Sequence, residues 1–519
     1  MTVPVRNEQE ERPEANNPEV GTETTSLLHT HALHHHSSSL YLGEDVPYYS
    51  KPRAGRNWEE PDEPIHDIFF LLFFDLFYVA GIFNLAASLK ESLDLANFLC
   101  VGVLFITLFS TWNEKLAFDS RFEADDNLFS RAVDLSQIVI LGTMIASIKP
   151  AQIMTNTQND ETMIFFGSSL TAYYLTLFLK NVDVYFHVLG GMENAKRQAL
   201  QDILTRIPTF LLYLLATLLA AHDYFFTEVS EARMLLVEEK VTFENNVSCN
   251  AGPLWLIFFG YFTTSMGSLL YRFVYINSRG ESHKTHYVPL NLDFTIHRIG
   301  EWTNLLLGES VLALLIVEKT PGLRYYVTFY SGIITVTMFQ YLYFRSNPFE
   351  ADDHAFRRSS AGGYTFYYSA QLYSAALILI GTSYKVILHE YLDEYEREEE
   401  GLEVMDSEEQ DRKICHMFSW SLAASFFFLD CMVISHRGLS DNFARFVRLD
   451  GTLAFMPILI TIVDYGMIIV TASLSQWISD LETLVVVGMA IVVLQTLLRT
   501  RGLRYFPVSK AAMENLNNI

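Results

Sequence analysis

The sequence is short of charge, of cysteine and of basic residues. Only 18% of its 519 residues are charged, against about a quarter in an average soluble domain. Asp and Glu total 60 and Lys and Arg 36, giving a net charge of −24. A chain this acidic is not a general nucleic-acid binder. Four cysteines cannot make a disulfide-dense secreted scaffold. There is no H-E-x-x-H, no Walker loop, no dinucleotide fingerprint and no nucleophile elbow in a strand–helix setting, so no enzyme is expected, and no cofactor or metal. Hydrolysis inside the membrane by Asp75 with Asp134 or Asp464 stays open, but no spacing favours it. The first 65 residues lack an apolar core, which excludes a cleavable signal peptide and leaves the first helix as its own insertion signal.

What is present is apolar. Half of the residues are hydrophobic and 14% are aromatic, yet mean hydropathy is only +0.18 because charges gather in tails and loops. A membrane-spanning helix needs about 20 mostly apolar residues. Twelve segments qualify: 66–89, 95–115, 130–149, 163–181, 203–221, 253–276, 299–318, 324–344, 364–388, 414–434, 452–474 and 481–499. The expected fold is therefore an all-α polytopic membrane protein whose obligatory partner is a lipid bilayer. Pro457 marks the first turn of the eleventh helix or kinks it.

Twelve spans put both termini on one side of the membrane. That side carries 24 of the 36 Lys and Arg residues, or 26 with Arg6 and Arg12, so the positive-inside rule places both termini in the cytoplasm. The sequon Asn246-Val247-Ser248, a glycosylation candidate, then falls outside, in loop 222–252. The external loop 389–413 holds twelve carboxylates and reads as a solvated, self-repelling loop, with a cation-attracting vestibule as the alternative.

One string occurs twice. Residues 122–131 read FEADDNLFSR and residues 349–358 read FEADDHAFRR, seven of ten identical at an offset of 227. The two copies lie six helices apart, which implies two parallel six-helix repeats, 66–276 and 299–499. A cytoplasmic tail 1–65, a connector 277–298 and a C-terminal tail 500–519 complete the chain. Glu123, Asp125, Asp126 and Arg131, with Glu350, Asp352, Asp353 and Arg358, form two charge loops. They either cap the helices that follow or act as a latch between the halves.

Helix 1 reads LLFFDLFYVAGIFNLA from Leu71, and helix 7 reads HRIGEWTNLLLGES from His297. With the helix 2 block TWNEKLAFDSRFEADDNLFSRAVDLSQ, these resemble the bacterial low temperature requirement protein A family. That family carries an E-L-F-F-D-L-x-F-V opening and an E-R-x-G-L-F-x-I-I-x-L-G-E block. Phe73, Phe74, Asp75, Leu76 and Phe77 match the first; Arg298, Gly300, Leu307, Gly308 and Glu309 match the second. Phe70 and Leu71 replace the opening E-L, His297 replaces a Glu, and Glu301 and Asn304 replace apolar positions. The resemblance implies a multi-spanning membrane protein linked by name to growth in the cold. It implies no substrate.

Ionisable groups at membrane depth cost several kcal/mol unless paired or hydrated, so each is a site candidate. Asp75 lies mid-membrane in an expected collar of Phe73, Phe74 and Phe77, which suits a proton- or cation-binding group or a helix-to-helix hydrogen bond. On helix 7, at about 100° per residue, His297, Gly300, Glu301, Asn304 and Gly308 share one face and Glu309 lies just off it. This stripe is expected to line the boundary between the repeats, as a cavity wall or a close helix contact. Asp134, Asp430 and Asp464 are further membrane acids, with Gln137, Gln340, Gln371 and Gln495 as partners. In the tail, Glu23 to Leu28 has the form of an acidic dileucine sorting signal, which leaves plasma membrane or a vacuolar or endosomal membrane open. The histidines between His29 and His36 read as low-complexity tail, and Cys249 and Cys415 share the outer side.

These features point to a transporter of a small solute or ion with proton or cation coupling. An ion channel and a non-transporting scaffold or cold-response protein are the alternatives.

Overall fold

The computed structural model describes residues 48–54, 68–123, 127–148, 161–188, 192–235, 251–270, 287–348, 353–358, 360–399, 408–437 and 452–502. All belong to one unit that starts at Val46. Asp125, Asp126, Asn246, Cys249, Glu350, Asp352, the dileucine string and the histidine tail lie outside the described residues.

Each of the twelve apolar segments contains a helix among its described residues. They are α1 (Ile68–Glu91), α2 (Leu95–Asp119), α3 (Leu128–Ala146), α4 (Glu161–His187), α5 (Glu193–Leu235) and α6 (Ala251–Leu270). Then come α7 (Leu292–Ile316), α8 (Leu323–Ser346), α9 (Ser360–Glu399), α10 (Glu408–Arg437), α11 (Thr452–Trp477) and α12 (Leu481–Gly502). A single turn, Ala355–Arg358, precedes α9. Among the described residues ten helices are long and apolar enough to cross a membrane; α8 and α11 are outside that set. Pro457 sits in the second turn of α11.

Two expected loops are largely helix. α9 runs on to Glu399 and α10 starts at Glu408, so most of the acidic stretch 389–413 is helical. α5 likewise continues to Leu235, into the expected loop 222–252. The long helices beneath extend into these polar ends, whose residues are good helix formers once a helix is nucleated.

In the first six helices α1 packs on α2 and α3, α3 on α4, α4 on α5, α5 on α6, and α2 on α4 and α6. In the last six, α7 packs on α8 and α9, α9 on α10, α10 on α11, α11 on α12, and α8 on α10 and α12. The two sets meet along a seam where α1 and α2 touch α7 and α9. One cluster of buried apolar residues runs through both sets.

The tail expected over 1–65 is not separate throughout. Arg53–Ala54 (β1) pairs antiparallel with Phe122–Glu123 (β2), inside the first FEADD copy. Phe129 N donates to the Tyr48 carbonyl at 3.1 Å and Asn127 Nδ2 to Ser50 Oγ at 2.7 Å. Tyr49 donates its hydroxyl to Asp183 at 2.8 Å, and burial followed by that bond pushes the phenol up to about 12.

Candidate functional site

The inward face of α1 carries Phe74, Asp75, Tyr78, Ile82 and Leu85, all buried, while Leu72, Phe73 and Leu76 face outward. The aromatic collar expected around Asp75 is therefore not there: Phe73 is half exposed and packs on Phe77 instead. The reason is helical geometry, since residues adjacent in sequence point about 100° apart. Asp75 Oδ1 accepts from Arg298 Nη2 at 2.7 Å and from the Trp112 indole at 2.9 Å. The guanidinium also reaches the Leu71 carbonyl at 3.3 Å, and its Nη1 donates to Glu301 at 2.6 Å. Glu301 meets His297 at 3.1 Å. An exposed histidine is thus joined to a fully buried aspartate through two intervening charges. A cavity of about 10 Å³ beside this pair, lined by Phe74, Trp112, Lys115, Asp119 and Arg298, is on the scale of one water molecule.

Sequence reasoning found Asp75 and missed its partner. Lys115, Lys180, Arg206, Arg298 and Arg499 read as markers of the cytoplasmic side, yet each pairs with acids within the helices. Lys115 meets Asp119 at 2.9 Å and Asp134 at 3.4 Å, and Lys180 meets Asp134 at 2.8 Å. Arg206 Nε donates to Glu114 at 3.0 Å. Arg499 meets Asp430 at 3.0 Å and Asp464 at 3.2 Å. The partners of the three further membrane acids are basic residues. Among the four glutamines, Gln137 and Gln495 reach those networks only through Lys180 and Arg499 or a backbone carbonyl. Gln371 accepts from Tyr261 at 2.9 Å. The readable signal was the short spacing of Lys115 to Asp119 and of Arg298 to Glu301.

The polar stripe of α7 is real but does not face the seam. His297 and Asn304 are exposed, Glu301 is half-buried, and Gly308 looks into open space. Asn304 accepts from Gln340 of α8 at 3.3 Å, and a Cβ on Gly300 would meet Phe344 of α8. The seam is built by the other side of α7, where Arg298, Trp302, Leu306, Glu309 and Ala313 recur every three or four residues and are all buried. Bulky and paired groups fill the contact with α1 and α9, which leaves the small and polar side outside it.

One turn beyond Arg298, Trp302 packs tilted against Trp112 at 4.6 Å between centroids, with Phe109 at 5.5 Å and Tyr78 at 5.9 Å. Its indole donates to Ser374 of α9 at 3.1 Å. Glu309 lies two turns further on, buried, with no hydrogen-bond partner for either oxygen among the described residues. The seam so consists of a locked ion pair, an aromatic layer and an unpartnered carboxyl. Asp75 and Glu309 sit at opposite ends of it.

The charge loops are described only in part. Arg131 is exposed on α3, Asp353 is half-buried, and the side chains of Glu123 and Arg358 lie outside the described residues. What the two copies share is a helix cap just after the acids. Asn127 accepts from Ser130 N at 2.7 Å; its counterpart His354 accepts from Phe356 N at 3.4 Å. His354 is fully buried against His436, at 4.4 Å between ring centroids.

Fold and seam define a multi-pass helical membrane protein with ion pairs buried between its helices. The family model described as bacterial low temperature requirement A protein (LtrA) matches residues 70–495, and the chain belongs to that family. Comparison with curated proteins and with solved structures gives no match.

Proposed function

We propose that this protein carries a small solute or ion across its membrane by alternating access between two six-helix halves, with proton or cation coupling and both termini in the cytoplasm. The observation that carries this reading is Glu309, a buried carboxyl at the seam with neither oxygen satisfied. A polar group left so at membrane depth is costly unless it binds something during function. The repeat is supported by packing: every helix contact described for the first six helices has its counterpart six helices later, and the string FEADD recurs between the matching helices. Asp75 and Arg298 tie one half to the other across the seam.

The test is flux into liposomes with Asp75→Asn and Glu309→Gln. Loss of pH-dependent flux is expected in both, and wild-type flux in both sinks the assignment. A channel is the second reading, because the aromatic layer of Trp112, Trp302, Phe109 and Tyr78 closes the seam as a gate would. Single-channel steps in a planar bilayer would select it.

A further inference from the structure

Glu309 has a neighbour that the reading above leaves unused. Lys385 of α9 is 6% exposed, against 5% for Glu309, and is the charged group whose field acts on it. The two form no ion pair; the ammonium rests over the Phe83 ring of α1, 4.6 Å from its centroid. α7 and α9 run close together here, for a Cβ on Gly381 would lie 3.0 Å from Ser310 Cα. Ser310 offers Glu309 nothing, since its hydroxyl donates to the Leu306 and Leu377 carbonyls. Beyond Lys385 lie Lys90 of α1 and, one turn along α9, His389, with Asp393 after it.

This setting selects among cations. Hard metal ions such as Ca²⁺ and Mg²⁺ take about six or more oxygen ligands. Among the described residues no group of His, Cys, Asp and Glu is arranged to hold a metal. A proton needs a single oxygen lone pair. We propose that Glu309 is a proton-binding site and that Lys385 is its tethered counter-ion, so that the two occupy one site in turn. When the proton arrives, one O–H bond forms on the carboxylate. The ammonium keeps its own protons and loses its attraction to Glu309, and no other bond changes. Because the pair spans α7 and α9, protonation weakens the attraction between two helices where they run close together. This rests on the transport reading and names its coupling ion.

The experiment uses the full-length protein in liposomes and dicyclohexylcarbodiimide, which adds to protonated carboxyls in apolar surroundings, with peptide mass spectrometry as the readout. Glu309 should be modified, falling about tenfold between about pH 6 and about pH 9. Lys385→Met, or Lys385→Gln if the first does not fold, should raise modification at about pH 8 several-fold, and Lys385→Arg should keep it within about twofold. Asp75, whose Oδ1 is held by Arg298 and Trp112, is the internal comparison and should be modified less than Glu309 at every pH. An unmodified Glu309 at every pH, or modification indifferent to Lys385, overturns the proposal. Modification without flux keeps the proton site and removes the transport reading; flux without modification does the reverse.

Discussion

Asp75 and Glu309 stand on the same seam about three turns of α7 apart, and the protein treats them oppositely. Asp75 receives a guanidinium, an indole N–H and a place in a chain of charges that ends at exposed His297. Among the described residues Glu309 receives no hydrogen-bond donor. A carboxyl with one oxygen bound to a cation and an indole holds helices in place through that oxygen, although its Oδ2 has no partner among the described residues. A carboxyl left without donors has little to lose by changing state. On the proposal above, the difference separates a joint from a site, although both residues are acids in apolar helices.

The sharpest way to break the contrast is to remove one side of the joint. Arg298→Leu leaves Asp75 buried without its counter-charge, and should cost about 3–5 kcal/mol, read as a drop in the melting temperature of the detergent-purified protein. Asp75→Asn combined with Arg298→Gln should recover much of that loss, since no charge is left at the Asp75 position.

His354 tests the same rule outside the bilayer. Burial lowers it from 6.5 to about 3. The unfolded chain therefore binds a proton that the folded protein refuses. Stability is at its full value above about pH 6.5 and falls by at most about 1.4 kcal/mol per pH unit on acidification until the folded value is reached. His354→Asn, which installs the residue found at Asn127, should flatten that slope in melts taken between about pH 6.5 and about pH 4.5.

The smallest effect is expected at Glu309. Glu309→Gln breaks no hydrogen bond and should change stability by less than about 1 kcal/mol, even as it abolishes pH-dependent flux. A loss as large as that of Arg298→Leu would make Glu309 a joint too.

The helices were legible because lipid demands long apolar runs, and each of the twelve segments proved helical. Their ends were not, because the polar turns of α5 and α9 are carried by the helices below them and leave no apolar trace. Family membership was legible in the helix 1 and helix 7 blocks. The angular spacing on α7 correctly grouped His297, Glu301 and Asn304, but the inference that a polar face points inward failed: Trp302 and Arg298 on the other side fill the seam. Single-residue properties marked Asp75 and Glu309. Pairing is a property of three dimensions, and Arg298 lies 223 residues from Asp75.

Residues 48–54 carry a practical consequence. A truncation at the first apolar run, near Ile68, would cut away the strand that pairs with Phe122 and Glu123, and with it the hydrogen bonds to Phe129 and Asn127. The boundary for a minimal folded fragment therefore falls ahead of Val46, well upstream of the membrane. A cleavable tag belongs before that point, where its removal leaves β1 untouched.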